Sequence, residues 1–495
     1  MSVAAALAVA ATLAGCGGTH YLDGRNLPPS GLTNRVLIAI QNPSAFTKGS
    51  LQFVDAYYDE RSGYNGTPAA FSISGFSGAL PISIQNMPEE QAAAVYGAGD
   101  GSLNLLNYGK ESTNGAVSGL NGLSSSIFIT RNQSYVFAAS QASHVLTVVN
   151  RLTGGSYPLS LPGIYRVSVN PGGTFAIAFA QNSNYAYYPL QLTAAQTINY
   201  SNGPSNWPLG AVDCEPFNAP VWCLFQALDP ASTKANPIPL QFNRPVKAVF
   251  SADGSTAYIL SCGPECGGSN GSNPTAQPLT NAAVTLMPIA PMLFLNGQAS
   301  GTLPSQSQIS ANCASTGATN ACSIPVPNGA SNALVNSSTM YVVGQQAQMV
   351  NSETLYAGNL TVVNLANNTA SSPVSISDGA PGATSRMILA DNNTLWIGMT
   401  KCINGVRAAT GEPDGCLTMF NTTSNTVTML PYNGDATGIA AVTGLGKIYT
   451  AEGGQVYIYS TADGSAIDNQ YVTVTGTAYD VAYMDAVSDS NNTVY

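Results

Sequence analysis

Charged side chains are what this chain has least of. Lys and Arg number 15 and Asp and Glu 25 among 495 residues, 8 % in all, against roughly 25 % in an ordinary soluble domain. The net charge of −10 excludes nucleic acid as a partner, because that affinity comes from clustered Lys and Arg. Histidine is nearly absent, with two residues, so acid–base and metal chemistry have little material to work with. No catalytic residue, metal or cofactor is therefore assigned. The chain holds no GxSxG elbow, HExxH helix, P-loop or EF-hand loop, and its scattered glycines belong to no βαβ unit that would hold a dinucleotide. Long helices are improbable with 49 Gly and 30 Pro. What is abundant is apolar: 44 % hydrophobic residues supply a core and exclude disorder as the main state. Solubility then rests on Asn, Ser, Thr and Gly.

The first residues read as an address. Ser2 to Thr12 (SVAAALAVAAT) is a short apolar run, too short to span a bilayer and of the length of an export signal. The stretch that follows, Leu13-Ala14-Gly15-Cys16, resembles the lipobox of bacterial lipoproteins. That resemblance implies cleavage before Cys16, lipid on its thiol, a signal peptide over 1–15 and a flexible anchored linker over 16–33. No Lys or Arg precedes the apolar run, which points to a start codon upstream. Beyond this segment no apolar stretch is long enough to cross a membrane.

Nine cysteines agree with that compartment. With Cys16 set aside, eight remain in local groups: Cys214/Cys223, Cys262/Cys266, Cys313/Cys322 and Cys402/Cys416. Exported chains favour disulfides. A thiolate zinc site is the weaker reading, since no CxxC pair exists and neither His lies near a Cys. Neighbour pairing within each group is the expectation, although spacing alone does not fix connectivity.

From residue 34 onward the chain repeats. A short alternating run, a polar turn and a second run rich in aromatic and β-branched residues recur, most plainly in Val246 to Leu260 (VKAVFSADGSTAYIL). Further copies are Ile127–Ala139, Tyr165–Phe179, Asn332–Val343, Ser385–Gly398 and Gly438–Ala451, with weaker ones at Pro81–Tyr96 and Tyr479–Tyr495. Period-two alternation around Gly or Asn turns signals hairpins. Third strands follow, such as Val145–Asn150 (VLTVVN), Leu417–Asn421 and Gln455–Ser460. Four strands per unit is the pattern of a β-propeller blade. The units resemble the YVTN-type repeats of bacterial surface proteins, through the VFSADGSTAYIL turn-and-strand and the LTVVNLANNT third strand. The expected fold is all-β: a single propeller of seven or eight four-stranded blades over 34–495, with Arg35–Gln41 and Leu51–Tyr58 joining Tyr479–Asp485 to close the ring. Asn492–Tyr495 competes for the same slot. A pair of β-sandwiches is the less economical reading.

Alternate loops of a propeller emerge on opposite faces. Ser261–Asn281, Gly344–Gly358 and Thr400–Gly415 fall between second and third strands; Ser201–Asn243 and Gly297–Gly329 are read as falling before a first strand. All five then share one face with the eight non-lipid cysteines. Loops of such length on a rigid scaffold are where binding concentrates. Binding-face candidates are Glu215, Trp222, Glu265, Tyr356, Glu412 and Asp414; as isolated acids and aromatics they also suit plain surface or packing roles. The function this supports is a cell-envelope lipoprotein, held to a membrane by its lipid, whose propeller presents a binding or scaffolding face to an envelope protein or polysaccharide. The alternative is a lactonase- or lyase-type propeller with a metal at the central channel. Against it, the first strands offer Arg166, Lys247, Arg386 and Asp480, a scattered and mostly basic set.

Overall fold

A computed structural model describes residues 27–60, 71–161, 163–173, 175–183, 186–192, 221–227, 242–268, 281–288, 309–310, 313, 321–350, 352–376, 383–402, 415–467 and 472–488. These residues form an all-β ring of eight sheets. Seven are blades made of consecutive strands, beginning at Pro81–Met87, Ser126–Ile129, Ile164–Val169, Pro245–Phe250, Asn332–Asn336, Ala383–Ala390 and Ala436–Val442. They are called blades 1 to 7 below. Blade 8 joins both ends of the chain: Thr477–Tyr483 pairs with Arg35–Gln41, which pairs with Gly49–Asp55. Ile73 and Phe71 add a fourth row by bonding to Leu51 and Phe53. Arg35–Gln41 fills the second-strand slot, so the ring has no open edge there. Asn492–Tyr495 lies outside the described residues. Among the described residues helix is confined to short 3-10 turns such as Pro88–Glu90 and Gly263–Cys266.

The hairpin turns are built by the residues that mark them in the sequence. In blade 4 the Ser251 hydroxyl and the Ser255 N–H both donate to Asp253 Oδ1, at 2.6 and 3.0 Å, and Gly254 takes φ +69°. Those bonds hold the exposed Asp253 carboxyl down at about 2. Asn132 repeats the device in blade 2, accepting from Thr130 and Ser134. Short polar side chains that bond their own backbone and a Gly that tolerates positive φ are what such turns require.

Blades pack face to face. The Tyr258 ring, 8 % exposed, meets Val249, Ala333 and Met340 where blade 4 abuts blade 5. Trp396, fully buried between blades 6 and 7, lies 6.0 Å from the Tyr459 ring and donates to Thr394 Oγ1. The closure adds charge to this apolar pattern. Arg35 is 1 % exposed and pairs with Asp485 at 2.7 Å and Glu111 at 2.9 Å. Three distant stretches of chain meet there. Burial raises the Asp485 carboxyl, and Arg35 pulls it part of the way back.

Two expectations about the insertions are corrected. Within Ser201–Asn243 a strand, Val221–Ala227, pairs with Ala186–Leu192 as the fourth strand of blade 3. Ala321–Pro325 does the same in blade 4, pairing with Ala283–Pro288. Each therefore follows a third strand of its blade, so the expectation that both insertions lead from a fourth strand to the next first strand does not hold. The cause is that Val221–Ala227 pairs on one side only and Ala321–Pro325 has just the two-residue strand Ile309–Ser310 beyond it, so neither needs a full second alternating partner and its signal is lost inside a long polar insertion.

Candidate functional site

Two places concentrate unusual features: one sector of the rim that carries the second-to-third-strand loops, and the axis.

At the rim, three elaborations sit on three consecutive blades. In blade 4 the turn Gly263–Cys266 is closed by the Cys262–Cys266 disulfide. In blade 5, Gly344–Gly358 is not a loop: Thr339–Val350 and Glu353–Asn364 continue their ladder to Val350 opposite Glu353 as an extended hairpin. In blade 6 the segment after Thr394–Thr400 is closed by Cys402–Cys416. The Gly263–Cys266 turn packs against the extended hairpin, so the first two form one surface. Of the binding-face candidates, Glu265 is in that turn, half-buried, with burial raising its carboxyl above the ordinary range. Tyr356 is in the hairpin, opposite Ala347. Trp222 and Cys223 are in the fourth strand of blade 3, on the outer edge and away from this rim. Cys16, Cys214, Glu215, Glu412 and Asp414 lie outside the described residues. The Cys313–Cys322 pair is also present, but Cys322 stands between Leu286 and Ser310 of the outermost strand, Ile309–Ser310, in blade 4, so it staples the blade's outer side rather than the rim.

At the axis the first strands share a feature that the sequence hides. In six of them the ladder skips one residue near its start: Ile82, Tyr165, Val246, Ser385, Thr437 and Tyr479. Each is a bulge, which re-aims the side chain that follows. Those side chains are Ser83, Arg166, Lys247, Arg386, Gly438 and Asp480. Ser126 and Asn332 start the two remaining first strands at the corresponding point. The basic residues and Asp480 are thus not scattered. They occupy equivalent positions in the repeat and meet near the axis.

The contacts follow from that placement. Lys247 Nζ donates to Asn332 Oδ1 of the next blade at 2.8 Å. Arg386 reaches past blade 7 to Asp480 Oδ2 at 2.9 Å. Blade 7 offers Gly438 there, and any Cβ on it would fall 2.7 Å from the Asp480 backbone. Asp480 also accepts the Ile84 N–H at 2.7 Å. Arg166 Nη1 donates to the Val246 carbonyl at 3.2 Å. Lys247 is buried, and desolvation, reinforced by Arg166 and Arg386, lowers its ammonium to about 7.

Beside these groups lies a cleft of about 150 Å³. It is lined by Arg166, Ser168 and Lys247, by Arg131, and by an apolar wall that includes Phe128, Val169, Val249 and Phe250. No carboxylate is among its lining residues. Among the described residues no group of three or more His, Cys, Asp or Glu stands together as metal ligands.

No protein-family model and no curated protein matches the chain. Solved structures share its outline at low similarity. Dihydro-heme d1 dehydrogenase NirN is 10 % identical with TM-score 0.49, over 92 % of this chain and 76 % of that one. A proposed 6-phosphogluconolactonase of Bacteroides fragilis is 9 % identical with TM-score 0.43, over 91 % and 98 %. The β-propeller domain of Myceliophteria thermophila Cps50 (Swd1) is 8 % identical with TM-score 0.36, over 82 % and 91 %. Likenesses of this size do not speak to what the chain binds or catalyses.

Proposed function

We propose that the protein is an exported lipoprotein of the cell envelope whose rigid propeller presents a binding surface. The observation that carries it is the rim sector of blades 4 to 6, where two disulfide-closed segments flank an extended hairpin. Elaboration of neighbouring blades on one rim is how a closed ring gains a contiguous surface without disturbing its core. Three disulfides are at home in an oxidising compartment, in keeping with the export signal before Cys16. No helix of the described residues is long and apolar enough to cross a membrane, and the proposed anchor is lipid on Cys16. A lactonase- or lyase-type reading calls for carboxylates or histidines at the channel. The first strands place Arg166, Lys247 and Arg386 there, with Asp480 already held by Arg386 and the Ile84 N–H.

The test is a variant lacking 403–414, compared with the parent as bait on detergent-solubilised envelope. The variant is expected to fold and to lose the partner, an envelope protein or polysaccharide. Retention of every parent-bound component would overturn the rim assignment.

A further inference from the structure

The cleft at the axis belongs to no part of the rim, and its chemistry is different. We propose that it is a binding site for a small organic carboxylate with a flat apolar body. The inference stands on the cleft alone and is independent of the rim surface.

Charge selects the anion. The chain has 15 basic residues and a net charge of −10, yet this cleft is lined by Arg131, Arg166 and Lys247 without a carboxylate. Arg131 leans on Glu89 at 3.6 Å, with more than half of its side chain exposed. Among the described residues the two inner cations have no acidic partner: Arg166 is bonded to the Val246 carbonyl and lies over the Tyr165 ring, and Lys247 is bonded to the Asn332 amide oxygen. A guanidinium has five N–H donors and an ammonium three, so most of theirs remain for a ligand. Ser168 Oγ accepts the Ala248 N–H at 3.2 Å and keeps its own proton to donate. Donors on neighbouring first strands, in a site with low-dielectric walls, favour a bound anion more than surface cations do.

The walls select the body. Phe128, Val169, Val249 and Phe250 line the same cleft as the cations, and an inorganic anion would leave this apolar part of the lining uncontacted. The volume of about 150 Å³ matches a cavity that takes a benzene-sized group, about 150 Å³. A carboxylate carried on such a group meets both halves of the lining.

The experiment is calorimetric titration of the full chain at pH 6.5 with sodium benzoate, benzamide and inorganic phosphate. Benzoate is expected to bind saturably, and benzamide and phosphate at least about tenfold more weakly, since a charge-assisted bond lost from a buried site costs roughly ten- to a hundredfold. Arg166→Gln and Lys247→Met should each weaken benzoate by a similar factor. If Arg166→Gln melts early, Lys247→Met decides, because it removes a buried charge while keeping the side chain's length. No saturable benzoate binding, equal binding of benzamide, phosphate binding as tight as benzoate, or benzoate affinity unchanged in Lys247→Met would each overturn the proposal.

Discussion

The seams between blades and the axis they surround are made from opposite materials by the same repeat. At the seams, second-strand residues such as Tyr258, Ala451 and Tyr96 pack against apolar neighbours. At the axis, six bulged first strands aim Ser, Arg, Lys, Arg, Gly and Asp inward. Seams must interlock in every blade, so apart from the charged closure at Arg35 they stay apolar. The bulge frees one position per blade from that demand. A ring built this way can change what its axis offers without rebuilding its core.

Substitutions that breach a seam should have the largest effects. Arg35→Ala leaves Asp485 and Glu111 as buried acids without their cation, held only by the residue-35 N–H and by Ser30; it should cost about 3–5 kcal/mol in urea unfolding, as expected for a broken buried ion pair. Tyr258→Asp puts a charge between blades 4 and 5 and should cost about 3–4 kcal/mol. If either melts like the parent, the seams are not where stability resides.

Axis and inner-strand groups should respond in the other direction, and with opposite pH dependence. Lys247 is held at about 7 in the fold, well below a free lysine. The unfolded chain keeps that proton up to higher pH, so the buried charge destabilises the fold most below pH 7 and progressively less above it. Lys247→Met should therefore stabilise by about 2–3 kcal/mol at pH 6, the gain fading toward pH 10. Glu452 shows the mirror case: burial raises it to about 7. Its destabilisation is absent below the ordinary carboxylate range and complete above pH 7. Glu452→Gln should thus gain about 2 kcal/mol at pH 8 and nothing at pH 4. Thermal melts across pH check both, and a gain of the same size at every pH would contradict the assigned protonation states. The smallest effect belongs to the rim: removing 403–414 shortens a connection between strands that already pair in blade 6, and should shift stability by less than about 1 kcal/mol.

The sequence makes the seams legible and the axis nearly illegible. Alternation in VKAVFSADGSTAYIL announces a hairpin because Val249 and Tyr258 both face a neighbour, and Ser251, Asp253 and Gly254 build the turn between. The closing role of Arg35–Gln41 is visible as strands at one end of the chain and a lone first strand at the other. A bulge leaves no such mark. Tyr165 and Val246 are ordinary strand residues, and skipping them changes only which side chain follows on the inner face. Arg166, Lys247, Arg386 and Asp480 therefore look dispersed until the repeat is folded. Val221–Ala227 and Ala321–Pro325 are missed because each lies at or next to a sheet edge inside a long polar insertion. Arg35 is missed because a lone arginine in an otherwise apolar strand gives no hint that its partners, Glu111 and Asp485, come from blade 1 and the far end of the chain.

The central claim, that the ring is carried on a lipid anchor outside the reducing cytosol, is tested most directly at Cys16. Cells producing the full chain or its Cys16→Ser variant are labelled with fatty acid and partitioned in detergent, and both proteins are melted. The account predicts label and detergent-phase partition for the parent alone, with matching melting temperatures. A Cys16→Ser protein that still takes up label and partitions with detergent would contradict it.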